Sequence, residues 1–258
     1  MGEQTSFRPV ARMRSEFPAK FGIPRQSGLV AELKSTVVFE PEYRSADALR
    51  GIEGFSHLWL IWGFSAAEGK GWSPTVRPPR LGGNTRVGVF ATRSPFRPNP
   101  LGLSCVKLEG VELDTAEGPV LHVSGADLMD GTPIFDIKPY VPYADCHPDA
   151  REGFAPAPAR RLAVEIPPTL LERIPEGRRK ALEGVLACDP RPSYQEDPAR
   201  IYGMSFAGVE VKFQVDGTRL LVTAVEPREG ATASAGIKRE NCGNRTKNQN
   251  KKFTKREG

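Results

Sequence analysis

His57-Leu58-Trp59-Leu60-Ile61-Trp62-Gly63-Phe64 is a short, aromatic-rich apolar run closed by a glycine, the pattern of a β-strand inside a core. Segments of the same kind lie at residues 7–13, 29–39, 86–92, 104–113 and 120–124, with turn residues between them. Only residues 45–50 fit a helix here, a short one opened by Ser45 as N-cap and closed by Gly51. Many short strands, scarce helices and no strand–helix–strand alternation predict a mainly β protein. A small closed β-barrel is its expected core, because closure leaves no sheet edge unpaired. Trp59 and Trp62, inside the most apolar strand, and Trp72 are expected in the core or at a subunit interface.

Beyond Tyr143 the character changes. Residues 151–160 are rich in Ala and Pro, which predicts a linker over 146–165 that separates a barrel domain, 1–145, from a small α+β domain, 166–228. Within the latter, residues 169–188 carry apolar side chains at helical spacing, interrupted by Pro175 and Gly177, and predict a broken helix. Residues 204–225 alternate apolar and polar about Asp216-Gly217, which predicts a hairpin. Residues 229–258 are dominated by Gly, Ala, Ser, Asn and Lys and are expected to be a disordered basic tail.

The net charge of +5 on 258 residues misleads about the folded part. Residues 237–258 alone carry +6, so the remainder sums to −1 and bulk charge says nothing for nucleic acid. Local clustering does. Residues 69–108 contain no Asp or Glu, whereas Lys70, Arg77, Arg80, Arg86, Arg93, Arg97 and Lys107 are all cationic. No apolar run approaches the roughly 18–20 residues of a membrane span. The N-terminus lacks an apolar core followed by a cleavage site, so a cytoplasmic protein without a membrane partner is expected. Cys105, Cys146, Cys188 and Cys242 form no CxxC, and His57, His122 and His147 have no paired spacing, so no metal site is expected. Cys105 has no basic neighbour at a spacing that would lower its pKa and is not read as a nucleophile.

Two stretches carry chemistry. Arg93-Ser94-Pro95-Phe96-Arg97-Pro98-Asn99-Pro100-Leu101-Gly102-Leu103-Ser104 follows an expected strand, and three prolines within six residues stiffen it. Such a loop can offer guanidinium forks to phosphate or carboxylate and a ring to a base; a structural turn with solvated arginines is the alternative. In Asp127-Leu128-Met129-Asp130-Gly131-Thr132-Pro133-Ile134-Phe135-Asp136-Ile137-Lys138-Pro139-Tyr140, Asp130-Gly131 favours a turn, and Asp136, Lys138 and Tyr140 alternate on one strand face. That face offers a carboxylate, an ammonium and a phenol, or simply a structural ion pair.

These two stretches, with Phe21-Gly22-Ile23-Pro24-Arg25-Gln26 and Thr75-Val76-Arg77-Pro78-Pro79-Arg80-Leu81-Gly82-Gly83-Asn84, resemble the TrmO (TsaA-like) family in the same order. The likeness covers residues 1–145 and extends more loosely through Asp189-Pro190-Arg191-Pro192 to Glu226-Pro227-Arg228. The resemblance implies a homodimeric β-barrel rather than a Rossmann fold. It also implies N6-methylation of N6-threonylcarbamoyladenosine at position 37 of tRNA with S-adenosylmethionine. Consistently, there is no G-x-G-x-x-G and no C-x-x-x-C-x-x-C for an iron–sulfur cluster. It further implies cofactor contacts from Pro24, Arg25, Gln26, Ser65, Ala66, Arg93, Leu103, Asp130, Gly131, Thr132 and Pro133. Relatives commonly carry His after the Phe64 equivalent, where this chain has Ser65; a backbone contact survives that change and a side-chain role does not.

Arg97, Asn99 and Lys138 are then candidates for holding tRNA, and Asp136 and Tyr140 for accepting the N6 proton. Methyl transfer from a sulfonium depends chiefly on alignment, which supplies up to roughly 7–11 kcal/mol, so a strong base is not required. A nucleotide-binding module without turnover and a methyltransferase for another acceptor are the competing readings. The basic tail either assists tRNA capture or is inert.

Overall fold

The computed structural model describes residues 6–67, 69–155, 161–192, 195 and 197–228. The expected disordered tail, 229–258, and residues 156–160 of the expected linker lie outside these. The first part of the chain forms β1 (Ala11–Arg14), β2 (Lys34–Phe39), β3 (His57–Gly63), β4 (Thr75–Val76), β5 (Val87–Gly88), β6 (Leu101–Glu112), β7 (Val120–Ser124) and β8 (Pro133–Pro139). Six of these close a barrel in the order β1-β2-β7-β6-β3-β8, antiparallel throughout. The barrel inferred from the strand pattern is therefore present.

Alternation along β3 shows why it closes. Leu58, Leu60 and Trp62 point inward and are buried, while His57, Trp59 and Ile61 stand on the outer face. With Met13, Val37, Val106, Leu121, Val123 and Ile134, each at most 1% exposed, they fill the interior. Burying each such side chain contributes about 1.5–3 kcal/mol. On the outer face the Trp59 indole donates to Asp145 at 3.0 Å, and the Ser56 hydroxyl lies 2.9 Å from His57 Nδ1. His57 is thus a hydrogen-bonded strand residue, and no metal-ligating cluster occurs among the described residues. No helix there is long and apolar enough to cross a membrane.

Two bulges shape the barrel. Phe135 is the extra residue where β8 slips against β3 between Ile61 and Trp62. Glu109 is the extra residue where β6 slips against β7. Its carboxylate collects the Ser124 hydroxyl at 2.7 Å, Lys34 at 3.1 Å and Lys107 at 3.2 Å, tying three strands. Those partners, Ser124 foremost, hold its carboxyl down at about 2. A carboxyl whose pKa is depressed by folding contributes stability above its unfolded pKa, and this is lost as pH falls through the folded value. Melting temperature is therefore expected to fall as pH drops from about 4.5 towards 2, and Glu109→Gln to lose the part of that dependence owed to this group. Parallel thermal-melt titrations of the two proteins check it.

The last part of the chain builds a four-stranded sheet. Its strands are β9 (Ala163–Glu165), β10 (Tyr202–Phe206), β11 (Val209–Asp216) and β12 (Arg219–Pro227), in the order β10-β11-β12-β9 with β9 parallel to β12. The short helices are α1 (Pro142–Asp145), α2 (Pro168–Leu171) and α3 (Arg179–Ala187). The broken helix expected from Pro175 and Gly177 is thus α2 and α3.

Several expectations are corrected. Residues 86–92 form no full strand: β5 spans two residues, and Val89–Ala91 turn into a 3-10 helix once the Val89 amide bonds Pro74. The arginine loop therefore follows a helical turn rather than a strand. The short helix expected over residues 45–50 is present as the 3-10 helix Ala46–Leu49, with Ser45 at its N-cap position. The hairpin turns on Gly217-Thr218, since Asp216 pairs with Arg219; Gly217, at φ 53°, takes the position that favours glycine. The expected linker is not all linker, because β9 lies within it.

The most consequential correction concerns residues 17–33, placed by sequence in the barrel. Phe17, Val30 and Leu33 are buried instead against Leu182, Val185, Met204, Phe206 and Phe213 of the second core. Phe17 meets Phe206 edge-on, ring centres 5.3 Å apart. The connection between β1 and β2 is thereby clamped under the second sheet.

Candidate active site

One end of the barrel opens into a cleft of about 690 Å³. Its walls come from four stretches far apart in sequence. The clamped connection supplies Lys20, Ile23, Pro24, Arg25 and Gln26; the end of β3 supplies Trp62 to Ala66. The arginine loop and the start of β6 supply Arg93, Arg97, Pro98, Asn99 and Leu101 to Leu103, and the turn after β7 supplies Asp127, Met129 and Thr132.

The arginine loop is held by its own hydrogen bonds. Arg97 Nη1 donates to the carbonyls of Thr92 and Ser94 at 3.1 and 3.4 Å, and the Thr92 hydroxyl donates to Val89 O at 2.8 Å. The Leu101 amide bonds Asn99 O and the Phe64 amide bonds Pro100 O, which fastens the loop to the end of β3. Arg97 thus staples its own loop, as a structural turn requires, and also lines the cleft. Arg93 crosses the cleft to donate to Gln26 Oε1, joining the arginine loop to the clamped connection.

The Asp130 bend is at the same cleft but faces it differently from expectation. Met129 and Thr132 line the opening, with the Thr132 amide and hydroxyl both donating to Met129 O. The Asp130 and Gly131 amides are taken by Phe17 O and Met13 O, and Asp130 Oδ1 accepts from the Ser15 amide. These groups secure the connection below and do not line the cleft; Pro133 is buried at the start of β8. The Asp130 amide is therefore not free to hold a nucleoside.

Asp136, Lys138 and Tyr140 are not brought to the cleft. Asp136 pairs across the sheet with Ile61, on the outer face, and forms a 2.9 Å ion pair with Lys138. Tyr140 packs near Trp59 and His57, with ring centres 5.8 and 6.2 Å away. Within one chain Asp136 and Lys138 make the structural ion pair that was the alternative reading, and neither Asp136 nor Tyr140 lines the cleft where a proton would be accepted.

Sequence reasoning missed one group altogether. The Trp62 indole donates to Ser104 Oγ at 2.9 Å, and the Ser104 hydroxyl donates to Asp127 Oδ1 at 2.6 Å. Because the indole can only donate, it orients the serine proton towards the carboxylate. Burial pushes the Asp127 carboxyl up from its ordinary value, against the Ser104 hydroxyl, the amides of Asp127 and Ser27, and the charge of Arg93. Residues 62, 104 and 127 share no sequence spacing that could have announced the relay.

Residues 12–146 match the tRNA-methyltransferase O N-terminal domain, and residues 159–228 match the TrmO C-terminal domain. The chain belongs to the TrmO family. Its relatives include the tRNA (adenine(37)-N6)-methyltransferase of Escherichia coli K12, 43% identical over 86% of this chain and 98% of the relative. A putative S-adenosylmethionine-dependent methyltransferase of Pseudomonas aeruginosa is 44% identical over 80% of this chain and 90% of its own. Among solved structures, the crystal structure of TrmO from Pseudomonas aeruginosa superposes with a TM-score of 0.71 at 36% identity, covering 86% of this chain and 98% of that one. The TrmO barrel is thus shared by fold and by sequence, and the chain is a methyltransferase of that family.

Proposed function

We propose that this protein transfers the methyl group of S-adenosylmethionine to N6 of N6-threonylcarbamoyladenosine at position 37 of tRNA, in the cytoplasm. The observation that carries the reading is the cleft itself. It gathers the Pro24 to Gln26 connection, the end of β3 and the arginine loop around a volume suited to a nucleoside-sized ligand.

The lining fits the cofactor. Ile23, Phe64, Leu101, Leu103 and Met129 offer apolar surface to an adenine and a thioether chain, while Gln26 and Arg93 offer donors and Asp127 a carboxylate. S-adenosylmethionine would supply the activated methyl. Pro24, Arg25, Gln26, Ser65, Ala66, Arg93, Leu103 and Thr132, which line the cleft, would hold it. The protein's contribution is to align the two reactants and keep water from between them. Arg97 and Asn99, on the rigid turn, would take the threonyl carboxylate or an anticodon-loop phosphate. The exposed Lys70, Arg77, Arg80 and Arg86 of the acid-free stretch 69–108 would supply further positive charge for the tRNA backbone.

We also assign a homodimer. Ile61, Leu103, Trp59 and Cys105 occupy neighbouring positions on the outer face of β3 and β6, and Leu103 is 53% exposed there. An apolar sheet face of this kind suits a second copy. Methyl incorporation from labelled cofactor is expected with tRNA bearing the threonylcarbamoyl group and only background with the same tRNA lacking it. Equal rates on the two would overturn the substrate assignment.

A further inference from the structure

The cleft holds an imbalance of charge that the proposed reaction leaves unexplained. Lys20, Arg25, Arg93 and Arg97 line it, and Asp127 is the one acid among its described lining residues. That surplus suits a phosphate or a carboxylate but opposes a sulfonium, which adds a positive charge to an otherwise zwitterionic ligand. The sulfonium therefore needs a local anion. Asp127 is the candidate by position, and its surroundings hold it ready: the Trp62–Ser104 relay fixes one oxygen at 2.6 Å from the serine hydroxyl, and the carboxylate is partly buried.

We propose that Asp127 is the counter-charge that seats the sulfonium and makes the cleft prefer S-adenosylmethionine over S-adenosylhomocysteine. This rests on the proposed function. The two ligands differ by one methyl and one positive charge, so an anion beside the sulfur discriminates them, whereas an anion beside the shared amino group or ribose does not. Preference for the charged form also has a use: once the methyl has gone the product is neutral, and the same carboxylate no longer retains it.

The other charged groups lining the cleft are Lys20, Arg25, Arg93 and Arg97. Preference for the sulfonium ligand should therefore track ionisation of Asp127, whose carboxyl burial has already pushed up. A carboxyl with a raised pKa is ionised above that value and neutralised as pH falls through it.

Calorimetric titration of the full chain with each ligand tests the assignment. Asp127→Asn keeps an oxygen to accept the Ser104 hydroxyl and removes the charge. It is expected to weaken S-adenosylmethionine about tenfold or more, which corresponds to about 1.4 kcal/mol, and S-adenosylhomocysteine less than about threefold. Equal losses would overturn the proposal and move Asp127 to the shared part of the ligand. Should the variant not fold, the unaltered protein decides. Its ratio of affinities for the two ligands is expected to fall as pH drops from neutrality to 3.8, the ordinary value of such a carboxyl, and a ratio that stays flat to that point would overturn the proposal. An unaltered protein that binds neither ligand at any pH would instead overturn the proposed function.

Discussion

Gly102→Ala is expected to destabilise the protein by about 3 kcal/mol, the upper part of the range for overpacking a filled core. Gly102 pairs with Trp62 across β3 and β6, and the indole lies directly over it. A Cβ at Gly102 would fall 2.3 Å from Trp62 Cε2 and 2.4 Å from Cζ2, distances real Cβ atoms do not show. The ring cannot yield cheaply, because it is only 8% exposed, packs edge-on against Phe64 at 4.4 Å and is bonded to Ser104. Melting should drop by roughly 6–12 °C for a chain of this size. Cofactor affinity should fall with it, since displacing the indole releases Ser104 and with it the orientation of Asp127. A variant that melts within about 1 °C of the unaltered protein would show that Trp62 is not locked in place.

Phe17→Ala is expected to cost about 3–5 kcal/mol, as a phenyl ring removed from a filled core does. Its more informative effect is on function. Phe17 is 1% exposed, and with Val30 and Leu33 it anchors the β1–β2 connection in the second core. Lys20 and Pro24 to Gln26 hang between these anchors and form one wall of the cleft. Loosening the anchor should speed amide exchange over residues 17–33 and weaken cofactor binding, although Phe17 does not line the cleft. Amide exchange by mass spectrometry, read with calorimetry, checks both. Exchange confined to the barrel strands would contradict the clamp.

The elements legible in sequence were those whose pattern is decided by their own faces. β3 and β7 are bounded as read, to within a residue, because alternation across a barrel wall leaves its mark on each strand. Residues 29–33 misled because Leu29, Val30 and Leu33 are apolar for a different core, one that sequence places about 180 residues away in Phe206 and Phe213. Residues 86–92 misled because β-branched content says nothing of a partner, and β4 offers two residues to pair. At the site, proline and glycine announced the arginine loop and the Asp130 bend, since they act on local backbone alone. The direction each group faces was not legible. Whether Asp130 looks into the cleft or into the β1–β2 connection, and whether Asp136 looks inward or out, depends on turns and bulges that no local pattern encodes. The Trp62–Ser104–Asp127 relay joins β3, β6 and the turn after β7 and has no local trace at all.

The clamp under the second sheet also orders events during synthesis. The chain leaves the ribosome N-terminus first, and all six barrel strands have emerged by Pro139. Phe17, Val30 and Leu33 must then wait, apolar and uncovered, until β10, β11 and β12 follow. The cleft wall built by residues 20–26 is therefore the last part of the barrel domain to be fastened, and a nascent chain stalled before β10 would carry a closed barrel with that wall unanchored.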